Sequence, residues 1–193
     1  MRLSTLFAIV LVFSLTLVGY GRADDPPAEI ADRVELCATC HGADGRPVLE
    51  EAPIIWGQEY FYIYTQLRDY QAGRRASETM QPVVADLSRD EMKALAQYFS
   101  ERKWPALGYK ASDEDNAIGH RVATAGQCPQ CHLATYPGDS RIPRMAGQTV
   151  AYLDKTMLDF KYKRRMNAPE MAALMASFSE DEIRAMAAFL AGL

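Results

Sequence analysis

The sequence predicts an all-α fold built from two copies of one unit. Three observations carry this. The chain of 193 residues matches itself at an offset of 90 to 91 residues. Each copy holds a helix-start signal ahead of an apolar periodic run, Ser88-x-x-Glu91 in the first and Ser179-x-x-Glu182 in the second. No pair of alternating runs joined by turn chemistry argues for strands. A repeat of this length is a duplicated domain rather than a solenoid unit.

The match runs through most of both copies. Cys37, Cys40 and His41 align with Cys128, Cys131 and His132, and Pro53 aligns with Pro143. "GQ" at Gly57-Gln58 returns at Gly147-Gln148, "RR" at Arg74-Arg75 returns at Arg164-Arg165, and Met80 aligns with Met171. Amphipathic patterning predicts helices over 57–70 and 147–160 and over the capped runs, with shorter helices over 28–36 and 117–125 leading into the cysteine motifs. Pro105 and Gly108 interrupt helical patterning near the join. The expected organisation is therefore one domain over 24–103, a linker over 104–112 and a second domain over 113–193.

Residues 1–23 read as a secretory signal. Arg2 precedes an almost wholly apolar stretch, and Gly21 and Ala23 supply small residues for a cut before Asp24. Periplasmic export is the expectation, with no membrane-spanning segment in the mature chain. An uncleaved anchor is the other reading, since an uncharged run of 19 residues is near the lower limit for a span.

The net charge of −4 is the wrong sign for a nucleic-acid binder. It is also lopsided: residues 24–104 hold 9 basic and 15 acidic residues, and residues 105–193 hold 10 of each. "KYKRR" at 161–165, just before Met171, is a candidate docking patch on the less acidic half; a solvated helix end is the plainer reading.

All 4 cysteines fall in two pentapeptides, "CATCH" and "CPQCH". CxxC alone fits a redox dithiol, half a zinc site or a disulfide. The following histidine points to covalent c-type haem attachment, with both thiols joined to one haem and the imidazole on its iron. A zinc site needs four ligands, and each copy offers three of the right kind. A redox dithiol calls for a thioredoxin-like α/β pattern, and a disulfide leaves the repeated histidine unexplained. Two haem groups are thus expected, on Cys37 and Cys40 with His41, and on Cys128 and Cys131 with His132. Such a group also gives a unit of this size a large apolar surface to fold around.

The sixth iron ligand decides between a carrier and a catalyst. Of 3 histidines only His120 is spare, and its place ahead of Cys128 suits a surface or structural role. Among 9 methionines, Met80 and Met171 alone share a repeat position before a capping serine. Met92, Met157, Met175 and Met186 fall in helical patterns and read as core filler. Met145 and Met166 remain rivals in the second copy. Pro53 and Pro143 stand close after each ligating histidine, which by spacing alone fits a loop-shaping role as well as an acceptor for the second ring nitrogen.

With these motifs in place, the sequence resembles the dihaem cytochrome c4 family: CxxCH, a proline, "GQ" opening a Tyr-rich helix, a methionine, then "LSRDEMKALAQYF", all given twice after a signal. Each copy is similar to a class I cytochrome c domain. The resemblance implies a periplasmic two-electron carrier, soluble or loosely membrane-attached, serving redox partner proteins such as a terminal oxidase, a reductase or a dehydrogenase. It implies no enzymatic activity and haems facing one another across the domain interface. It assigns the Pro53 and Pro143 carbonyls as histidine acceptors, and it places Ala28 and Gly119 where the first helix of each domain crosses the last, against Tyr98 and Phe189. Similar chains serve as haem subunits of dehydrogenase complexes, including flavocytochrome c sulfide dehydrogenases. A catalytic haem protein would need an open iron. The second copy departs from the first in the proline of "CPQCH" and in lacking the glycine after His41, differences that bear on exposure of the second haem.

Overall fold

The computed structural model describes residues 25–193; the signal expectation at 1–23 lies outside the described residues. Within them the regular elements are helical, and the only bridge pairing is an isolated one between Asp139 and Ile142. None of the described helices is long and apolar enough to cross a membrane.

In the first half a 3-10 turn, Ala28–Ile30, runs into α1 (Ala31–His41), which carries the cysteine motif on its last turns. The aromatic run forms α2 (Tyr60–Gln71), Met80 opens the short α3 (Met80–Val84), and the capped run forms α4 (Arg89–Ser100). The second half repeats this with α5 (Asp113–Ala125), α6 (Cys128–His132), α7 (Val150–Lys161), α8 (Pro169–Met175) and α9 (Glu180–Ala191). Both predicted capping boxes form in full: the serine oxygen takes the N3 amide, and the N3 glutamate takes the serine amide.

Two departures from expectation have local causes. The helix before the second motif starts earlier than predicted, at Asp113, because the Ser112 side chain accepts from the Asp115 amide and three acids occupy the first turn. It then stops at Ala125, and the motif forms a separate helix with Gln127 left-handed at φ 54°. Pro129 is the reason: inside a continuous helix its ring would meet the carbonyl one turn back. Ala38 stands there in the first half, and α1 runs through.

Each half has its own core. Ile30, Ile63, Val84, Leu87, Met92, Leu95 and Phe99 fill the first, and Leu153, Met157, Phe160, Met175, Ile183, Met186 and Leu190 lie in the second. Trp104, in the connection between them, explains both "GQ" glycines. Gly57 (φ 68°) and Gly147 (φ 70°) hold equivalent left-handed turns. A Cβ on Gly57 would come within 2.9 Å of the Trp104 amide nitrogen, and one on Gly147 within 3.2 Å of its indole nitrogen.

Gly119 meets the last helix as expected: a Cβ there would lie 2.5 Å from Cβ of Phe189. Ala28 does not play that part. It is exposed on the 3-10 turn, and the contact with α4 passes to the fully buried Ile30. Pro26-Pro27 precede Ala28, with Pro27 extended at ψ 139°, so no helix extends upstream of the would-be crossing.

Candidate haem sites

His41 and His132 end their helices with only 7% and 6% of their surface exposed. In each, Nδ1 donates to the expected proline carbonyl, at 2.8 Å to Pro53 and 3.0 Å to Pro143. Burial pushes both imidazoles below their ordinary range, against the opposing pull of the proline carbonyl. A neutral ring with its Nδ1 proton engaged leaves the Nε2 lone pair free, which is the form a metal ligand needs. Burial likewise pushes the Cys37 thiol up to about 11 and raises Cys128, so these are not thiolate nucleophiles poised for dithiol exchange.

In the second half Cys128, Cys131, His132 and Met171 line one cavity, with Met145, Met157, Met175 and Met186 around it. Met171 is half-buried on the first turn of α8. Of the two rival methionines, Met145 lines this cavity, whereas Met166 is 47% exposed and does not. In the first half Cys37 and Met80 pack against the same core, flanked by Trp56, Tyr60, Tyr64 and Leu67. Cys40 is half-buried and its counterpart Cys131 exposed. His120 is exposed and meets Phe189 edge-on at 5.6 Å, a packing role.

Between the halves lies a buried polar cluster whose parts the repeat had shown but whose partners it had not. Arg75 donates to Tyr152 of the other half at 3.1 Å, and Arg165 donates to Tyr62 at 3.2 Å. Both guanidinium groups also reach Gln66 Oε1, at 2.8 and 3.0 Å. They are 7% and 6% exposed, and neither forms an ion pair with a carboxylate among the described residues. The one buried carboxylate nearby, Asp69, is engaged by Arg74 and Asn167. Burial alone would push the Tyr152 phenol up, but Arg75 and Arg165 outweigh it and hold it down to about 7. Two buried cations without a carboxylate call for an anion. The chemistry of a haem matches each feature separately: its apolar ring suits the sulfur-lined cavity, and its two carboxylates suit buried guanidinium groups, which do not themselves line that cavity.

The "KYKRR" stretch is mostly taken up internally. Lys161 donates to the Phe178 carbonyl, Arg164 pairs with Asp159 at 2.7 Å, and Arg165 is the buried cluster residue. Lys163, exposed at φ 56°, and Arg164, whose side chain is 57% exposed, are the cations left facing solvent. The candidate docking patch is therefore narrowed to these two positions.

Comparison with known proteins agrees with this geometry. The chain is 32% identical over 181 residues to cytochrome c4 of Thiocapsa roseopersicina, covering 88% of this chain and 93% of that protein. It is 32% identical to the thiosulfate dehydrogenase electron acceptor of Stutzerimonas stutzeri (strain A1501), covering 81% and 78%. The crystal structure of reduced recombinant cytochrome c4 from Pseudomonas stutzeri superposes with a TM-score of 0.79 at 28% identity, covering 87% of this chain and 99% of that one. No protein-family model matches the chain.

Proposed function

Since the chain belongs to the cytochrome c4 family, a family of dihaem electron-transfer cytochromes with covalently attached haem c, we propose how its own residues hold the two groups and where it works. Cys37 and Cys40 attach one haem and Cys128 and Cys131 the other. His41 with Met80, and His132 with Met171, are the axial pairs. Residues 24–103 and 113–193 are the two haem domains, 104–112 joins them, and 1–23 direct the chain to the periplasm. It acts there as a carrier between redox proteins and has no substrate chemistry of its own.

The observation that carries this reading is the duplicated histidine geometry. Each CxxCH imidazole is buried and neutral, and is fixed through Nδ1 to a proline carbonyl, so the ring is oriented before it meets iron. When bound, each group supplies a one-electron ferric/ferrous couple. The protein's part would be to exclude water with its core, to offer the Met80 and Met171 thioethers to the iron, and to supply the buried Arg75 and Arg165 guanidinium groups to carboxylates. A histidine/methionine pair closes the iron and raises its potential.

Replacing Met80 or Met171 by Ala should abolish the methionine-to-ferric-iron absorption band of one haem. It should also lower that haem's potential by on the order of 100 mV, a fraction of the roughly 0.8 V that axial ligands span. If Met145→Ala does this and Met171→Ala does not, the assignment in the second half is wrong.

The likeness to the thiosulfate dehydrogenase electron acceptor favours a second reading, a haem subunit that accepts electrons from a dehydrogenase. Size exclusion of the native protein separates the two: a permanent subunit elutes with its dehydrogenase, a free carrier alone.

A further inference from the structure

Each half of the molecule grips the peptide group that orients the other half's histidine. Gln148 Oε1 accepts the Ile54 amide at 2.8 Å, and its Nε2 donates to the Ile54 carbonyl at 3.0 Å. Gln58 does the same in the opposite direction, accepting from the Arg144 amide at 2.8 Å and donating to the Arg144 carbonyl at 3.0 Å. Ile54 follows Pro53, and Arg144 follows Pro143. The Ile54 amide and the Pro53 carbonyl therefore belong to one peptide unit, as do the Arg144 amide and the Pro143 carbonyl. The chain of bonds reads His41 Nδ1–H to Pro53 C=O, then Ile54 N–H to Gln148 across the interface, and it has a twin from His132 to Gln58.

The amide orientation of each glutamine is over-determined. Gln148 Oε1 also accepts the Thr149 amide at 2.9 Å, and Gln58 Oε1 the Glu59 amide at 2.9 Å, so oxygen faces two donors and nitrogen faces a carbonyl. Gln148 is 2% exposed, Gln58 4% and Ile54 1%. A bond made in so dry a place is stronger than in water, and bonds in series polarise one another, by about 10–30% each.

We propose that Gln148 and Gln58 are crosswise positioning residues: Gln148, in the second half, sets the ligand strength of His41 in the first, and Gln58, in the first half, sets that of His132 in the second. The proposal rests on the two histidines being iron ligands, as read above. A peptide that donates through its N–H carries more negative charge on its oxygen and is the better acceptor. A better acceptor at Nδ1 makes the imidazole a more basic ligand. A more basic ligand favours ferric iron and lowers the potential. Each domain therefore holds down the potential of the other's haem.

The test is Gln148→Met and Gln58→Met, near-isosteric and at most weakly accepting, in the full haem-loaded protein. The haems are told apart by their methyl resonances in NMR, and potentials are followed through a redox titration. Gln148→Met should raise the potential of the haem on His41 and leave the other in place; Gln58→Met should do the reverse. In the ferrous protein the Nδ1 proton of the histidine across the interface should move upfield as its bond weakens. Gln148→Glu, studied where the carboxylate is ionised, keeps and strengthens the acceptor, so it should move the first haem's potential downward. A shift confined to the substituted half, equal shifts at both haems, no shift, or the same sign for Gln148→Met and Gln148→Glu overturns the relay. His41→Ala separates the two layers. If it leaves both haems six-coordinate and low-spin, the ligand reading has failed and the relay falls with it. If it abolishes one low-spin spectrum while the glutamine variants shift nothing crosswise, only the relay has failed.

Discussion

In the second half Gly119 lies so close to α9 that a Cβ would stand 2.4 Å from the Ala185 carbonyl oxygen. In the first half the aligned residue, Ala28, is exposed on a 3-10 turn. The same repeat position thus closes one bundle and leaves the other closed by different means. There, Ile30 is fully buried among residues of α4, and Arg33 ties α1 to Asp86 at 3.0 Å and to Glu91 at 3.2 Å. A helix crossing needs regular backbone on both sides of the contact residue. α5 has it because Ser112 starts the helix well upstream; the turn at Ala28 lacks it because Pro26-Pro27 end just before. The second bundle thus has a backbone-to-backbone approach that the first replaces with side-chain contacts.

The sharpest way to break this comparison is to put the same side chain at both positions. Gly119→Val should force α5 from α9 and destabilise the second half by about 3 kcal/mol, as over-packing at a backbone contact does. Ala28→Val should stay within about 0.5 kcal/mol, as exposed substitutions do. Denaturant unfolding of the haem-loaded protein, followed at each haem separately, measures both. Comparable costs at the two sites would mean that the first half has the crossing after all.

The capping boxes are where the halves should behave alike. Ser88 and Ser179 make the same reciprocal bonds, so Ser88→Ala and Ser179→Ala should each cost about 1 kcal/mol. A clearly unequal pair, seen as a difference in midpoint between the two single variants, would show that one last helix is held mainly by its tertiary contacts.

The smallest expected difference lies in acid. The Ser88 amide and hydroxyl hold Glu91 below the usual carboxylate range, and Ser179 does so for Glu182. A depressed folded value means the stabilisation is present above the ordinary glutamate range and is lost as pH falls through the folded value. Both halves should lose it together in acid. Arg33 adds to the depression of Glu91 through a hydrogen bond and its charge, and Arg121 and Lys161 add to that of Glu182 through charge. Salt should therefore raise the acid midpoint of both halves by a small and similar amount, because screening weakens exposed charge interactions.

Much of this protein is written in local patterns that need no knowledge of the fold. CxxCH, Ser-x-x-Glu and apolar residues at helical spacing act within a turn or two of the chain, and they pointed to the all-α class, the repeat, the two capped helix starts and the candidate attachment residues. The break before Cys128 was equally local, since Pro129 forbids the continuous helix that Ala38 allows. The repeat also singled out Gln58, Gln148, Arg75 and Arg165 without saying what they do. Their partners stand in the other half: Gln148 on Ile54, Gln58 on Arg144, Arg75 on Tyr152 and Arg165 on Tyr62. Sequence alone determined the chemistry each half offers, because attachment, capping and periodicity depend on neighbours along the chain. Only the tertiary structure decided how the halves hold one another, because a buried amide or guanidinium is satisfied by whatever donor or acceptor the packing of two bundles brings within 3 Å, and residues so far apart in the chain leave no local trace of that meeting.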